Sequence, residues 1–452
     1  MGRLMRRFDA HWFAPAPLGE LAAARIVLVG TQLFLLLYGT LVASLRACPA
    51  CSLDYQLWLT GIDASTYLPR PALKVLLLPL GGWGVRPDPM FLHAVWWTAV
   101  VSGIGAFVGM YTRLSLLCFA AANTLLIAHG YAYHELHHTE ALLIIMLWVL
   151  AFGPSGRALS LDDIRSRIRI GLAGMQFRAR TPEDEIDTFA RWPLRVGQWL
   201  MVLAYLSAAL SKLRNGGLDW FNGETLTYYL ASDGLAYGRP LGLWLSGFPT
   251  LATLLSIATV AFEATFALAV LVPALALPYV LGGVLLHLSI FAVQGPPFLQ
   301  TTALYIVFIG AVRRRRAAPE PAPEARARRG RWTIVFDGLC PICIRTAVLL
   351  DALDLRRRLD FIDLEREWTT AALEAPGLTL EEARHAMHVI DPAGGIHRGF
   401  FAFRSLARAL PPLWPALPLL YAPLAARIGP KLYDRVARRR RGEACSYATC
   451  GV

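Results

Sequence analysis

The sequence predicts a multi-pass α-helical membrane domain of about eight spans, followed by a small α/β domain. Three observations predict it. Hydrophobic residues make up 56% of the 452 positions, and the mean hydropathy is +0.45, too apolar for a soluble globular chain. Apolar runs of roughly 17–25 residues recur as far as residue 312. Beyond residue 331, short β-branched runs alternate with helical patterns instead.

The spans are expected at residues 21–45, 90–111, 113–130, 139–153, 195–212, 249–271, 274–294 and 299–312. The third, fourth and eighth are short. Residues 73–83 are apolar but broken by Pro79 and two glycines, as in an interfacial or re-entrant piece. Met1 to Arg7 is basic, but the run that opens near Leu21 is of full span length and lacks a convincing cleavage site. No cleavable signal peptide is therefore expected.

The net charge of +12 is clustered beside apolar runs, the signature of positive-inside orientation rather than of nucleic-acid binding. Arg3, Arg6 and Arg7 precede the first span. Arg157, Arg165, Arg167, Arg169, Arg178 and Arg180 fall between the fourth and fifth, and Arg313, Arg314, Arg315 and Arg316 follow the eighth. With eight spans all three groups share one side, so both termini and the second domain are expected in the cytoplasm, on a bacterial-type inner membrane. Residues 161–195 mix apolar positions at helical spacing with arginines and acids, as in a segment lying along the membrane surface.

Four regions follow: a membrane domain at 1–312, an Arg- and Pro-rich linker at 313–330, a second domain at 331–441 and a Cys-containing tail at 442–452. Within the second domain the pattern reads strand 333–336, helix 343–355, strand 359–363, helix 380–386, strand 387–391 and helix 401–410. The turn Asp391-Pro392-Ala393-Gly394-Gly395 leads into a returning strand at 396–399. This order suits a thioredoxin-like sheet. Residues 413–428 are apolar, interrupted by prolines, and dock either on the bilayer or on the domain's own sheet.

The most specific motif is Phe336-Asp337-Gly338-Leu339-Cys340-Pro341-Ile342-Cys343. Two thiols three residues apart, at a strand-to-helix turn, are the layout of a dithiol redox centre. A helix N-terminus beside the first sulfur is expected to lower its pKa. Structural zinc is the rival reading, but zinc needs four ligands, and Cys445 and Cys450 would supply the other two at unusually wide spacing. An inert pair is the third reading. Asp337 either accepts or relays a proton or serves the turn as a cap.

The string resembles the DCC family of thiol-disulfide oxidoreductases, whose signature is an aromatic-Asp-Gly followed by Cys-x-x-Cys. The resemblance covers about 110 residues. It implies that Cys340 attacks and Cys343 resolves, with Asp337 beside the pair. In a reducing cytosol the pair would rest as a dithiol and act as a reductant on a thiol or disulfide partner protein or a quinone. Cys445 and Cys450 either exchange with it or are incidental.

In the membrane domain, Lys212 ends an apolar, small-residue-rich span. An ionisable group there is a functional candidate by default. It is either a desolvated base or a lysine snorkelling at a helix end. His134-Glu135-Leu136-His137-His138 opens the fourth span. The cluster lines a polar site, lies at the interface, or binds metal through His134 and His138, four apart on one helix face. Glu263 and His287 are further intramembrane ionisable residues, set either in the same cavity or in packing contacts. Cys48 and Cys51, in an outer loop, are structural, redox-active or incidental, and Cys118 reads as a core residue.

The run Lys212-Leu213, a polar insert, then Trp220 and Gly223 resembles the segment that carries the catalytic base of vitamin K-dependent γ-glutamyl carboxylases. The unit is shared with bacterial relatives as the HTTM domain, and the resemblance runs over residues 15–312. It implies that Lys212 deprotonates a reduced quinone, with oxygen and carbon dioxide as co-reactants. It makes His138 the match to a functional histidine, and it puts His134, His137, His287 and Glu263 around the quinone cavity. No metal is expected. The exoplasmic region that binds propeptides in the animal enzymes is missing, which puts peptide-glutamate carboxylation in doubt. Three readings follow: a quinone- or redox-linked modification in the membrane, with a peptide as one candidate substrate; a peptide-maturation accessory factor; or a membrane-anchored oxidoreductase.

Overall fold

A computed structural model of the chain describes residues 2–46, 53–57, 59, 63, 66–68, 86–133, 138–316, 330–367 and 378–448. The expected re-entrant piece at 73–83 lies outside them. The chain divides into two compact units: Met1–Ser160 with Glu185–Ala318, and Leu161–Asp184 with Pro319–Val452.

The first unit is helical. Five helices are long and apolar enough to cross a membrane: Leu18–Tyr38, Pro89–Val108, Thr112–Tyr131, Arg191–Phe221 and Pro273–Val293. Three shorter apolar helices, Glu140–Phe152, Pro249–Thr265 and Leu299–Val312, fall where the other three spans are expected. By length and composition the five suggest a membrane protein. Local chemistry sets their ends. Pro89 opens its helix with a preset φ, while Asp88 accepts from the Met90 and Phe91 amides at 2.8 and 3.4 Å. Gly109 closes the same helix in the left-handed region, at φ 71°.

Apolar faces alone do not drive helices together in lipid, so polar contacts contribute to the packing. Gln32 Nε2 donates to Asn123 Oδ1 at 2.8 Å, and Trp148 Nε1 donates to Thr124 Oγ1 at 3.0 Å. Arg25 is wholly buried and donates to the Ser155 and Leu159 carbonyls. A buried guanidinium thus satisfies backbone oxygens of the loop after the helix His138–Phe152.

The second unit is built on a mixed four-stranded sheet in the order Leu359–Asp363, Trp332–Phe336, His388–Ile390, Ile396–Arg398. The first pair is parallel, with Phe336 opposite Asp363, and the other two pairs are antiparallel. Strand alternation separates two cores. Ile334, Phe336 and Val389 pack with Cys340, Cys343, Ala347 and Leu406. Val335, Ile362 and Ile390 pack with Leu364 and Ala383.

The unit is discontinuous in sequence. Leu161–Asp184, read from the sequence as part of a membrane-surface segment, is one of its constituents. Phe177 packs on Phe336 and Phe361, with ring centroids 5.5 and 4.7 Å away. Arg167 pairs with Asp351 on the helix Pro341–Leu353, and the Arg180 amide donates to the same carboxylate at 3.3 Å. Burial pushes the Asp351 carboxyl above the usual range, against the opposing pull of Arg167.

Candidate functional site

The strand Trp332–Phe336 delivers the chain to the dithiol turn. Asp337 Oδ1 accepts from the Leu339 amide at 3.0 Å, and its carbonyl accepts from the Cys340 amide at 3.3 Å. These bonds shape a tight turn. Gly338 donates its N–H to Asp363 Oδ1 at 3.1 Å. A Cβ at Gly338 would fall 2.0 Å from Asp363 Oδ2, so this turn requires glycine for space. Asp363 also accepts from the Glu365 amide at 3.1 Å. It ends the neighbouring strand in register with Phe336, which fixes the turn to the sheet.

Cys340 is the N-cap of the helix Pro341–Leu353, and Pro341 occupies the first helical position. The Cys343 amide points at Cys340 Sγ, 3.4 Å away, and the Ile344 amide donates to the Cys340 carbonyl at 3.0 Å. A negative sulfur at this position is met by a backbone donor at the positive end of the helix dipole. The Cys343 thiol donates to Cys340 Sγ across 2.8 Å. A disulfide bond is about 2.05 Å long, so closure needs only a small rotation of the two side chains.

Both sulfur-bearing residues belong to the core. Cys340 is wholly buried and Cys343 is 4% exposed. Cys343 lines a cavity of about 350 Å³ with Ile342, Met387, Phe403, Leu432 and Val436, whereas Cys340 does not line it. Cys445 and Cys450, Cys48 and Cys51 lie outside the residues whose side chains are described.

In the membrane unit, Lys212 Nζ donates to both carboxylate oxygens of Glu263, each at 2.6 Å. The ammonium also sits 5.5 Å from the centre of the Trp220 ring. His287 Nε2 shares a hydrogen bond of 2.8 Å with the Tyr205 hydroxyl, which also bonds the Tyr305 hydroxyl. Tyr205 lies two turns before Lys212 on the helix Arg191–Gly216. Lys212 with Glu263, and Tyr205 with His287 and Tyr305, are thus two hydrogen-bonded groups along one polar strip, related through the helix that carries both Tyr205 and Lys212. A Cβ at Gly283 would fall 1.8 Å from the Tyr305 hydroxyl, so glycine makes room for that oxygen.

His134 and His137 lie outside the described residues, as does the side chain of His138. Among the described residues, no group of three or more His, Cys, Asp or Glu side chains is arranged to hold a metal ion.

Sequence reasoning passed over Asp363, Tyr205 and Tyr305. The signal for Asp363 was its place at the end of a strand beside the dithiol strand. The tyrosines carried none beyond their position in apolar runs, where a hydroxyl needs a partner.

Comparison with curated proteins and with solved structures finds no match. Family comparison does: residues 334–443, which hold the dithiol turn, the helix it caps and all of the four-stranded sheet but Trp332 and Thr333, match the model of the DCC1-like thiol-disulfide oxidoreductase family.

Proposed function

We propose that the second unit is a thiol-disulfide oxidoreductase module whose Cys340–Cys343 pair cycles between dithiol and disulfide. The observation that carries this is the 2.8 Å approach of the two sulfurs at a helix N-terminus, inside a region that matches a thiol-disulfide oxidoreductase family. Two S–H bonds are lost and one S–S bond forms, with two electrons and two protons passing to a disulfide or another two-electron acceptor. Asp337 and Asp363 hold the turn in which this happens. The clusters of arginine beside apolar helices support a cytoplasmic position for the module.

The test is differential alkylation of the full-length protein in detergent, after equilibration with glutathione buffers of graded potential. Cys340 and Cys343 should be protected together under oxidising buffers and released together by reduction. Cys340→Ser and Cys343→Ser should each abolish that protection. Labelling that is independent of the buffer would overturn the reading.

A second reading rests on a separate observation, the polar strip of Lys212, Glu263, Tyr205, His287 and Tyr305 between apolar helices. It is a proton-handling site of the carboxylase-like kind. Phe262 and Phe266 pack on Tyr205, and Tyr279 packs on both of them; a reduced quinone is the partner that the carboxylase-like reading implies for this strip. When bound, a reduced quinone supplies electrons for oxygen. The chain's own part is to hold and move a proton at Lys212 Nζ, paired with Glu263. Hydroquinone- and oxygen-dependent epoxide formation that Lys212→Ala abolishes would support this reading. Dithiol activity without any such turnover would leave the membrane unit as an anchor or an accessory in peptide maturation.

A further inference from the structure

The cavity beside Cys343 is the strongest unassigned feature of the second unit. Its volume of about 350 Å³ lies in the range of small-molecule sites, roughly 300–1,000 Å³. The wall is almost wholly apolar. Met387, Phe400, Phe403, Leu420, Leu432 and Val436 form most of it, and Thr346 and Tyr433 contribute hydroxyls. Thr346 donates to the Ile342 carbonyl at 2.8 Å, and the Tyr433 oxygen accepts from the Met387 amide at 3.0 Å, so both are engaged by the backbone. Neither hydroxyl carries a charge, so a charged ligand would find no ionic partner among these wall groups.

The rim has a second character. The helix Pro423–Ala448 carries Leu424, Ile428, Leu432 and Val436 at four-residue spacing, each between 46% and 62% exposed. Arg427, Lys431 and Arg435 are interleaved with them and exposed. An exposed apolar stripe flanked by cations is the composition of a helix that meets an anionic lipid surface. Two residues of that stripe, Leu432 and Val436, also line the cavity.

We propose that this cavity is the substrate site of the dithiol and that it takes an uncharged quinone from the lipid phase. The proposal rests on the redox reading of the Cys340–Cys343 pair and adds its acceptor. A quinone is flat and apolar and accepts two electrons and two protons, which are what a dithiol releases. In the step, the S–H bonds of Cys340 and Cys343 break and a Cys340–Cys343 bond forms. The quinone is reduced, and each of its two carbonyl oxygens gains a proton to give the hydroquinone. Cys343, in the cavity wall, is the sulfur that meets the acceptor. Cys340, wholly buried behind it, closes the disulfide. This reverses the order that resemblance to the DCC family implies.

The test uses pre-reduced full-length protein in detergent, with 1,4-naphthoquinone and its charged 2-sulfonate as probes. Rates are corrected by subtracting those of Cys343→Ser. Selectivity is the ratio of kcat/KM for the two probes, divided by the same rate ratio for dithiothreitol in solution. The expected selectivity for the uncharged probe is about tenfold or more, since a cavity that loses over about 1.4 kcal/mol on burying charge discriminates by that factor. Val436→Trp at the exposed rim, and independently Ala437→Trp, should bring it close to one by filling the cavity. Selectivity equal to that of dithiothreitol, or selectivity that survives both variants, overturns the proposal. A pair that exchanges with oxidised glutathione but leaves both quinones unreduced overturns this proposal alone. A pair that does neither overturns the redox reading as well.

Discussion

The contact between Gly338 and Asp363 makes a quantitative claim about how the dithiol turn is held. In Asp363→Ala, the Gly338 and Glu365 amides lose an acceptor that each reaches at 3.1 Å. Hydrogen bonds to a charged group contribute about 1.5–3 kcal/mol each, and partial rehydration of the exposed Glu365 amide lowers its share. The expected loss is about 2–4 kcal/mol of local stability. In Gly338→Ala, the new Cβ would stand 2.0 Å from Asp363 Oδ2, well inside contact distance. The carboxylate must move, so this variant loses the same hydrogen bond by a different route. The two changes therefore do not add. With Asp363 already alanine the clash is gone, and Gly338→Ala should cost under about 1 kcal/mol. The cycle predicts a coupling of about 1.5–3 kcal/mol. Hydrogen-exchange mass spectrometry on the full-length protein reads it through the peptides that carry the strands Trp332–Phe336 and Leu359–Asp363. Costs that add to within about 0.5 kcal/mol would refute the account of the turn.

Three further outcomes are expected. Asp391 accepts from the Ala393 and Gly395 amides and from His397, and the bond to His397 leads in holding its carboxyl below the usual range. A lowered folded value means that this stabilisation is full above the unfolded value of about 3.9 and is lost as the pH falls through the folded value. Exchange protection of the hairpin His388–Ile390 and Ile396–Arg398, corrected for intrinsic rates, should therefore decline below about pH 4 in the wild type, and Asp391→Ala should lack that part of the decline. Glu263→Leu should destabilise the membrane unit by about 3 kcal/mol or more by stranding Lys212, and Lys212→Met in the same chain should restore much of it; thermal unfolding in detergent measures both. In the reduced protein, brief treatment with N-ethylmaleimide should modify Cys343 ahead of Cys340, as peptide mapping would show, because Cys343 alone of the two lines the cavity.

Legibility in the sequence followed the physics of each element. The strands of the second unit were readable because β-branched runs such as Trp332-Thr333-Ile334-Val335-Phe336 end in turn residues, and their limits moved by only a residue or two. The apolar helices were readable by composition, although Glu140–Phe152, Pro249–Thr265 and Leu299–Val312 are shorter than a typical span. Leu161–Asp184 was not assignable to the second unit, because amphipathic spacing shows that a helix has an apolar face but not what covers it. At the dithiol, Cys340 and Cys343 stood out through their spacing after a strand and through the Phe336-Asp337-Gly338 run before them. Asp363 did not, because its importance comes from strand register, which pairs residues far apart in the chain. Lys212 and Glu263 were each visible as charges among apolar residues. Their pairing depends on how two helices face each other, and no periodicity within one helix encodes that.

The central claim is that Cys340 and Cys343 form a reversible redox couple in the intact protein. Redox titration of the full-length chain, with the Cys340–Cys343 peptide followed by mass spectrometry, tests it most directly. The expected result is a reversible two-electron transition in which both thiols are lost and regained together, with a midpoint between roughly −120 and −270 mV, the span of dithiol-active proteins. A pair that stays fully reduced across that span, or whose sulfurs oxidise separately and irreversibly, would contradict it.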